Sequence, residues 1–272
     1  MIFKRFYIFT GKGGVGKTAL SLAFTKHLTE QGSKAKLAYF KTSKLEESTI
    51  QYEEVLKKAQ ELNIETLGLD LLDSAQAYIQ KKLGSKTVAS WVVKTPFFKS
   101  LINMIPGFNY LIYMGQILEY LKQDPELVIV LDSPSSGHAL TMFEATKNFN
   151  QIFQKGALYD DTLEMIQLLK QKNFLQVQLI TLPSPLPLQE SQDFIEQLQE
   201  IEPLLPVQII CNNSLIKYSD LKLPEELRQK LTNENRALEE VALDAKQIIP
   251  FCMANDSKSL VKELLPSMEN LV

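Results

Sequence analysis

The chain has 272 residues, of which 45% are hydrophobic and 22% are charged, and these values exclude a chain that is disordered throughout. Its length fits one large α/β domain. The 29 lysines and arginines, nearly all of them lysines, are balanced by 32 acidic residues, so we expect no nucleic-acid partner.

Short apolar runs alternate with longer helical patterns along the chain, which predicts an α/β fold with a mostly parallel sheet. Several of the runs are apolar throughout, as in strands that are covered on both faces. The predicted strands are 6–9, 36–40, 127–131, 175–181, 206–211 and 247–251. Between strands, the pattern predicts helices over 17–32, which ends at a Gly32 cap, and over 189–201.

The strongest motif is GKGGVGKT at 11–18, which fits G-x-x-x-x-G-K-[ST] between a predicted strand and a predicted helix. Its glycines let the backbone turn tightly, so that N–H groups and the positive end of the helix surround phosphate oxygens. We expect Lys17 to place its charge near the β- and γ-phosphates and the Thr18 hydroxyl to bind Mg²⁺. The predicted nucleotide-contacting residues are Gly11, Gly13, Gly14, Val15, Gly16, Lys17, Thr18 and Ala19.

Two stretches, about 45–125 and 139–172, are mainly helical in pattern. The first is too long for a single crossover, so we interpret both as helical elaborations on the sheet. Because no repeat, low-complexity segment or linker divides the sequence, we expect a single P-loop domain over 1–272.

A polar segment follows the predicted strand 127–131. Asp132 stands at the carboxyl end of that strand, where P-loop proteins hold Mg²⁺ directly or through water. Gly137 would let the backbone approach the γ-phosphate. His138 is either a switch residue or a hydrogen-bonded histidine at a helix start, and we assign it no catalytic role.

The ends of the chain and its cysteines indicate a cytoplasmic location. The N-terminal apolar run is too short for a signal peptide, and the longest apolar stretches are far shorter than a membrane span. Cys211 and Cys252 lie far apart in apolar stretches, so we expect two buried free thiols in a reducing compartment. The tail at 257–272 mixes lysines with glutamates, which favours a helix packed on the sheet over a membrane-binding helix.

The loop has a second lysine, Lys12, and GKGGVGKT resembles the deviant Walker A group of P-loop ATPases. The segment DSPSSGHAL at 132–140 resembles D-T-A-P-T-G-H-T-L of one branch of that group, the ArsA and tail-anchored-protein-targeting ATPases. Further similarity covers nearly the whole chain, at 65–80, Pro106-Gly107, 181–191 and 210–213.

The resemblance implies an ATPase that uses ATP and Mg²⁺ and forms a nucleotide-dependent dimer with itself or with a homologous ATPase. It implies a catalytic role for Lys12, which would reach the partner's phosphates, beside Lys17. It also implies that Asn212 contacts adenine; a turn-capping asparagine is the alternative interpretation. The protein cargo or membrane-associated partner is not identified by the sequence.

The sequence departs from that branch where the branch has its water-positioning aspartate. Lys41 stands at or beside that place, and no aspartate occurs in 41–48. Loss of this carboxylate would slow hydrolysis, unless Glu46 or Glu47 replaces it. Two interpretations therefore stay open: a slowly hydrolysing ATPase that couples its state to a partner, and a nucleotide-binding subunit with little turnover that pairs with an active homologue.

The chain also lacks the zinc-binding Cys-x-x-Cys of the targeting factors and the cysteine cluster of the arsenite pump. An apolar stripe falls where the targeting factors carry a client-binding groove, and we interpret it as core rather than as a client site. Its members are Met142, Phe143, Phe149, Ile152 and Phe153.

Overall fold

The computed structural model describes residues 4–41, 49–241 and 247–271. The strands are β1 (Phe6–Gly11), β2 (Lys34–Phe40), β3 (Thr66–Leu69), β4 (Leu127–Asp132), β5 (Leu175–Thr181), β6 (Val207–Ser214) and β7 (Gln247–Pro250). The helices are α1 (Lys17–Glu30), α2 (Thr49–Glu61), α3 (Leu71–Leu83), α4 (Lys86–Lys94), α5 (Pro96–Met104), α6 (Phe108–Gln123), α7 (Ser136–Ile152), α8 (Ala157–Leu169), α9 (Pro185–Ile201), α10 (Glu225–Val241) and α11 (Ser257–Met268).

In the described part of the chain, the strands form one seven-stranded sheet in the order β3-β2-β4-β1-β5-β6-β7. Every neighbouring pair is parallel, which confirms the predicted α/β fold with a parallel sheet. β1 lies between β4 and β5, and the chain order of the strands reverses around it. In such sheets, ligands bind at the carboxyl ends of the strands where the order reverses. The topology therefore puts the loop after β1 at the expected binding edge.

Both faces of the sheet are covered by helices, which explains the continuous apolar runs. Phe6 and Ile8 face one core cluster, with α6, α7 and α9. Tyr7 and Phe9 face the other, with α1, α2 and α11. The C-terminal helix α11 buries Val261, Leu264 and Met268 in this second cluster, as expected for a helix packed on the sheet.

Helix α1 ends in a Schellman motif, as the Gly32 cap predicts. Gly32 has φ 82°, and its N–H donates to the carbonyl of Thr29 at 3.0 Å. The N–H of Ser33 donates to the carbonyl of Leu28 at 3.0 Å. The turn directs the chain straight into β2.

The stretches predicted as helical elaborations form α2 to α6 and α7 to α8, with β3 between α2 and α3. Side-chain caps begin several of these helices: Asp70 accepts from two N–H groups at the start of α3, and Thr95 precedes Pro96 at the start of α5. Most of the apolar stripe on α7 is core, since Met142, Phe143 and Phe149 are buried. Ile152 is 65% exposed and does not belong to that core.

The two cysteines differ in their surroundings. Cys211 is buried in β6, and burial raises the pKa of its thiol to about 12. Cys252 is only partly buried, so the prediction of two buried thiols is wrong for this residue. It lies just beyond β7, which has a neighbouring strand on one side only and therefore covers the following residues less completely.

Within the ranges that the structure describes, no helix is both long and apolar enough to span a membrane.

Candidate functional site

The loop between β1 and α1 requires glycine at two positions in particular. Gly11 has φ 147°, and a Cβ there would collide with the carbonyl oxygen of Ile180 in β5. Gly16 has φ 96°, and a Cβ there would collide with the side-chain amide of Asn212. Gly13 differs, because its φ is not positive and open space surrounds the position of its Cβ. The tight turn therefore does not depend on Gly13, contrary to the sequence argument that treated the loop glycines alike.

Helix α1 begins directly after Gly16, and no side chain caps its first turn. Its first N–H groups have no intrahelical acceptors, and they lie at the positive end of the helix dipole. An anion bound in the loop would satisfy them, as in other phosphate-binding loops.

Thr18 and Asp132, the two predicted Mg²⁺ ligands, lie side by side. The Thr18 hydroxyl donates to Asp132 Oδ2 at 2.7 Å. β4 runs beside β1 with Phe9 opposite Asp132, which brings the end of β4 next to the first turn of α1. Asp132 Oδ1 has no exposed surface and no hydrogen-bond partner among the described residues.

Burial shifts the pKa values of Asp132 and Lys17 toward their uncharged forms. Burial raises the pKa of Asp132 to about 6, although the Thr18 hydroxyl and the charge of Lys17 both act to lower it. Burial lowers the pKa of Lys17, and Asp132 partly offsets this. A hydroxyl beside a carboxylate with an unsatisfied oxygen fits Mg²⁺, which prefers oxygen ligands and is held by few protein groups when phosphates are present.

The two lysines of the loop are both held by polar contacts. Lys17 Nζ donates to the carbonyl oxygen of Lys12 at 2.8 Å. Lys12 Nζ lies 3.0 Å from Glu190 Oε1, although half of the Lys12 side chain is exposed. This ion pair within the chain was not predicted from the sequence. The signal was the segment 181–191, which leads from the end of β5 into the first turns of α9 and contains Glu190.

Asn212 also contacts the loop. It is buried in β6, and its Nδ2 donates to the carbonyl oxygen of Val15 at 2.8 Å. Asn212 therefore braces the phosphate loop, a role that neither sequence interpretation included. Its contact with adenine stays a prediction.

The turn after β6 is fixed by Glu234, a buried residue of α10 that the sequence analysis missed. Glu234 Oε2 accepts from the N–H of Leu215 at 2.8 Å and from the hydroxyl of Ser214 at 3.2 Å. This holds the segment that directly follows Asn212. The mostly polar sequence of α10 gave no signal for the contact.

His138 lies in the first turn of α7, and the hydroxyl of Tyr110 in α6 lies 2.6 Å from its Nδ1. The contact agrees with a hydrogen-bonded histidine at a helix start. It also joins α7, the helix that follows Asp132, to α6.

Lys41 is the first residue after β2, and its N–H donates to the carbonyl of Leu69 at 2.8 Å. Its Cε lies 2.5 Å from the position that a Cβ on Gly68 would occupy, so the side chain extends over β3. β3 is the edge strand of the sheet on that side, two strands away from β4. Glu46 and Glu47, the candidates to replace the aspartate, lie outside the described residues.

Comparison with known proteins agrees with this geometry. A sequence model of the anion-transporting ATPase family ArsA matches residues 4–249. The chain belongs to the ArsA ATPase family. The match spans β1 to most of β7, so it includes the phosphate loop, Asp132 and Asn212.

Individual relatives of the chain are distant. The chain is 22% identical over 244 residues to the protein named ATPase BagA of Mycobacterium tuberculosis, a match that covers 85% of this chain and 70% of that protein. It is 24% identical over 254 residues to the arsenical pump-driving ATPase of Acidiphilium multivorum, covering 86% of this chain and 40% of that protein. Membership of the ArsA family supports the view that this chain binds ATP and is an ATPase.

Proposed function

We propose that this chain is a Mg²⁺-dependent ATPase whose phosphate loop binds ATP and which forms a nucleotide-dependent dimer. The observation that carries the proposal is the contact of Thr18 with Asp132 beside the loop, with Asp132 Oδ1 buried and unsatisfied. A buried acceptor of this kind costs free energy unless a ligand satisfies it. Membership of the ArsA family supports ATP hydrolysis as the reaction.

Each site residue has a separate task in this proposal. The loop N–H groups and Lys17 bind the phosphates, and Thr18 and Asp132 hold Mg²⁺, which when bound neutralises phosphate charge. Asn212 keeps the loop in shape through Val15. Lys12 is exposed enough to leave Glu190 and reach the phosphates of a second subunit.

A second candidate function follows from the segment after β2. Lys41 replaces or adjoins the water-positioning aspartate, and an ammonium group donates hydrogen bonds but cannot accept one from the attacking water. We therefore propose that the chain hydrolyses ATP slowly, or that it is a regulatory subunit that needs an active homologue. Single-turnover hydrolysis by wild type and Lys41→Asp tests it, and a faster Lys41→Asp supports it. Brisk wild-type turnover that collapses in Glu46→Gln/Glu47→Gln contradicts it.

The test of nucleotide binding is calorimetry with Mg·ATP. Lys17→Ala removes a charge-assisted contact worth about 1.5–3 kcal/mol, which corresponds to a roughly 10- to 150-fold weaker affinity. Lys26→Ala on the same helix is the matched control. Lys26 forms an ion pair with Glu30, four residues further along α1, and does not belong to the loop. Equal ATP affinity of wild type and Lys17→Ala would contradict the assignment.

The dimer is tested separately, by light scattering with a non-hydrolysable ATP analogue. We expect wild type to dimerise with the analogue and Lys12→Ala to dimerise less. A wild-type monomer at saturating analogue contradicts this part of the proposal and leaves the nucleotide site intact.

A further inference from the structure

A cavity of about 740 Å³ lies between α3, α6 and α8. Its wall is mainly apolar and includes Ile79, Leu111, Leu118 and Met165. The volume falls within the range of small-molecule sites in proteins. As far as the described residues form it, the wall contains neither loop residues nor Asp132, so the cavity is separate from the nucleotide site.

Polar contacts at the rim of the cavity join α8 to α3 and α6. Asp161 of α8 accepts from the Tyr78 hydroxyl and from Lys82 Nζ of α3, each at 2.7 Å. Glu164 of α8 pairs with Lys122 of α6 at 2.7 Å. Behind these polar contacts lies an apolar volume that side chains do not fill.

One glycine of the wall, Gly115, lies in the middle of α6. A Cβ on Gly115 would come within 3.0 Å of Met165 Cε on α8, the end of a flexible side chain. A glycine inside a helix costs about 1 kcal/mol relative to alanine. The glycine therefore lets Met165 of α8 pack against α6, and a larger residue at 115 would push the Met165 side chain toward the cavity.

The rim carries both signs of charge in equal number. Besides Lys82 with Asp161 and Lys122 with Glu164, Lys81 pairs with Glu119 at 2.6 Å. Each of these three lysines thus has a carboxylate partner, and the rim has no net charge to attract an ion. Moving a charged group next to the apolar wall would cost free energy without a free counter-ion. The hydroxyl of Tyr78 is a neutral hydrogen-bonding group beside Asp161.

The geometry points to a binding site for an uncharged single-chain amphiphile of the long-chain alcohol class. Its chain lies among the apolar side chains of α6 and α8, and its hydroxyl lies at the rim beside Tyr78 and Asp161. Burial of the chain drives binding. The rim excludes ligands whose head group is an ion.

The experiment uses the full chain and three ligands of equal chain length: 1-decanol, decanoate and decylamine. Each displaces the uncharged dye Nile red, and calorimetry checks the stoichiometry. We expect saturable one-to-one binding of 1-decanol, at least tenfold tighter than that of either charged ligand. Saturating 1-decanol should also raise the melting temperature.

Variants that fill the cavity test the location of the ligand. Gly115→Leu takes the place against which Met165 Cε packs and should force that side chain into the space, which abolishes 1-decanol binding. Met165→Trp is the second filling variant, in case Gly115→Leu folds poorly. Lys17→Ala is the control: it should weaken ATP binding and leave 1-decanol binding unchanged, so this inference and the proposed function fail independently.

Three results would overturn the inference. Absence of saturable 1-decanol binding is the first. The second is undiminished binding in a folded Gly115→Leu or Met165→Trp, which would locate the ligand elsewhere. The third is tighter binding of decanoate or decylamine than of 1-decanol, since a neutral rim does not select an ion.

Discussion

The edge of the sheet around the phosphate loop and the helical layer of α3, α6 and α8 are built in opposite ways. At the loop, strands and helix are joined by buried contacts, and Phe24 of α1 lies fully buried against Tyr7 and Phe9 of β1. In the helical layer, exposed or half-exposed ion pairs join helices around a cavity. A rigid frame positions a preformed site, whereas a loosely filled layer leaves room for a ligand.

The largest expected effect on stability separates the two regions directly. Phe24→Ala removes a fully buried ring and should lower the free energy of unfolding by about 3–5 kcal/mol. Met165→Ala enlarges a cavity that already exists and should cost about 1 kcal/mol or less, because fewer close contacts are lost. Urea denaturation measures both, and equal losses would mean that the helical layer is as tightly packed as the sheet.

The next comparison lies within the loop. Gly11→Ala forces an L-residue to φ 147° and against a backbone oxygen, so we expect a loss of about 3 kcal/mol or more in the free energy of unfolding. Gly13→Ala should change it by about 0.5 kcal/mol or less, because its φ and its surroundings accept a Cβ. Thermal and urea unfolding without nucleotide are the measurements. A Gly13→Ala that unfolds as readily as Gly11→Ala would show that the turn constrains both positions.

The raised pKa of Asp132 gives the site a pH dependence that the helical layer does not share. A carboxyl group whose pKa is about 6 in the folded protein and about 3.9 when unfolded retains its proton longer in the folded state. Stability therefore falls as the pH increases from about 4 to above 6, by about 2–3 kcal/mol from this group alone. The nucleotide-free Asp132→Asn should lack this fall and be more stable than wild type at pH 7.5.

The control for the pH experiment is the difference between the two proteins at each pH, since it cancels other titrating groups. Asp132→Asn should also lose the Mg²⁺ dependence of ATP binding. A difference between wild type and Asp132→Asn that does not vary between pH 4 and 7.5 would contradict the assignment of the pKa.

Local patterns predicted most of the fold. The six apolar runs became β1, β2, β4, β5, β6 and β7, because strands buried on both faces must be apolar. β3 has four residues and only Leu69 is buried, so hydrophobicity did not predict this strand within the mainly helical stretch 45–125. α10 buries only Glu234 and Ala237 among its described residues, and its weak apolar face gave no helix prediction.

In the candidate site too, local patterns predicted some residues and missed others. Lys17, Thr18 and Asp132 were predicted, because a short motif and a strand end encode their places. The hydrogen bond from Asn212 to Val15 joins residues 197 positions apart, and the pair of Lys12 with Glu190 depends on how α9 returns to the loop. Such contacts depend on the topology of the sheet, so a motif read along the chain does not contain them.

The smallest expected effect concerns the pair of Lys12 with Glu190. It tests whether a weak contact beside the phosphate loop affects dimerisation. Glu190 holds Lys12 within its own subunit at 3.0 Å, and the proposed dimer requires Lys12 to leave it. A partly exposed pair contributes about 0.2–1 kcal/mol, and two such pairs open in a dimer of this chain, so Glu190→Gln should strengthen analogue-dependent dimerisation by roughly 2- to 30-fold. Light scattering at low and high salt measures this, and high salt should remove the difference. Glu196→Gln, at an exposed position on the same helix, is the matched control. Weaker dimerisation of Glu190→Gln would reverse the interpretation, because Glu190 would then aim Lys12 at the partner instead of retaining it.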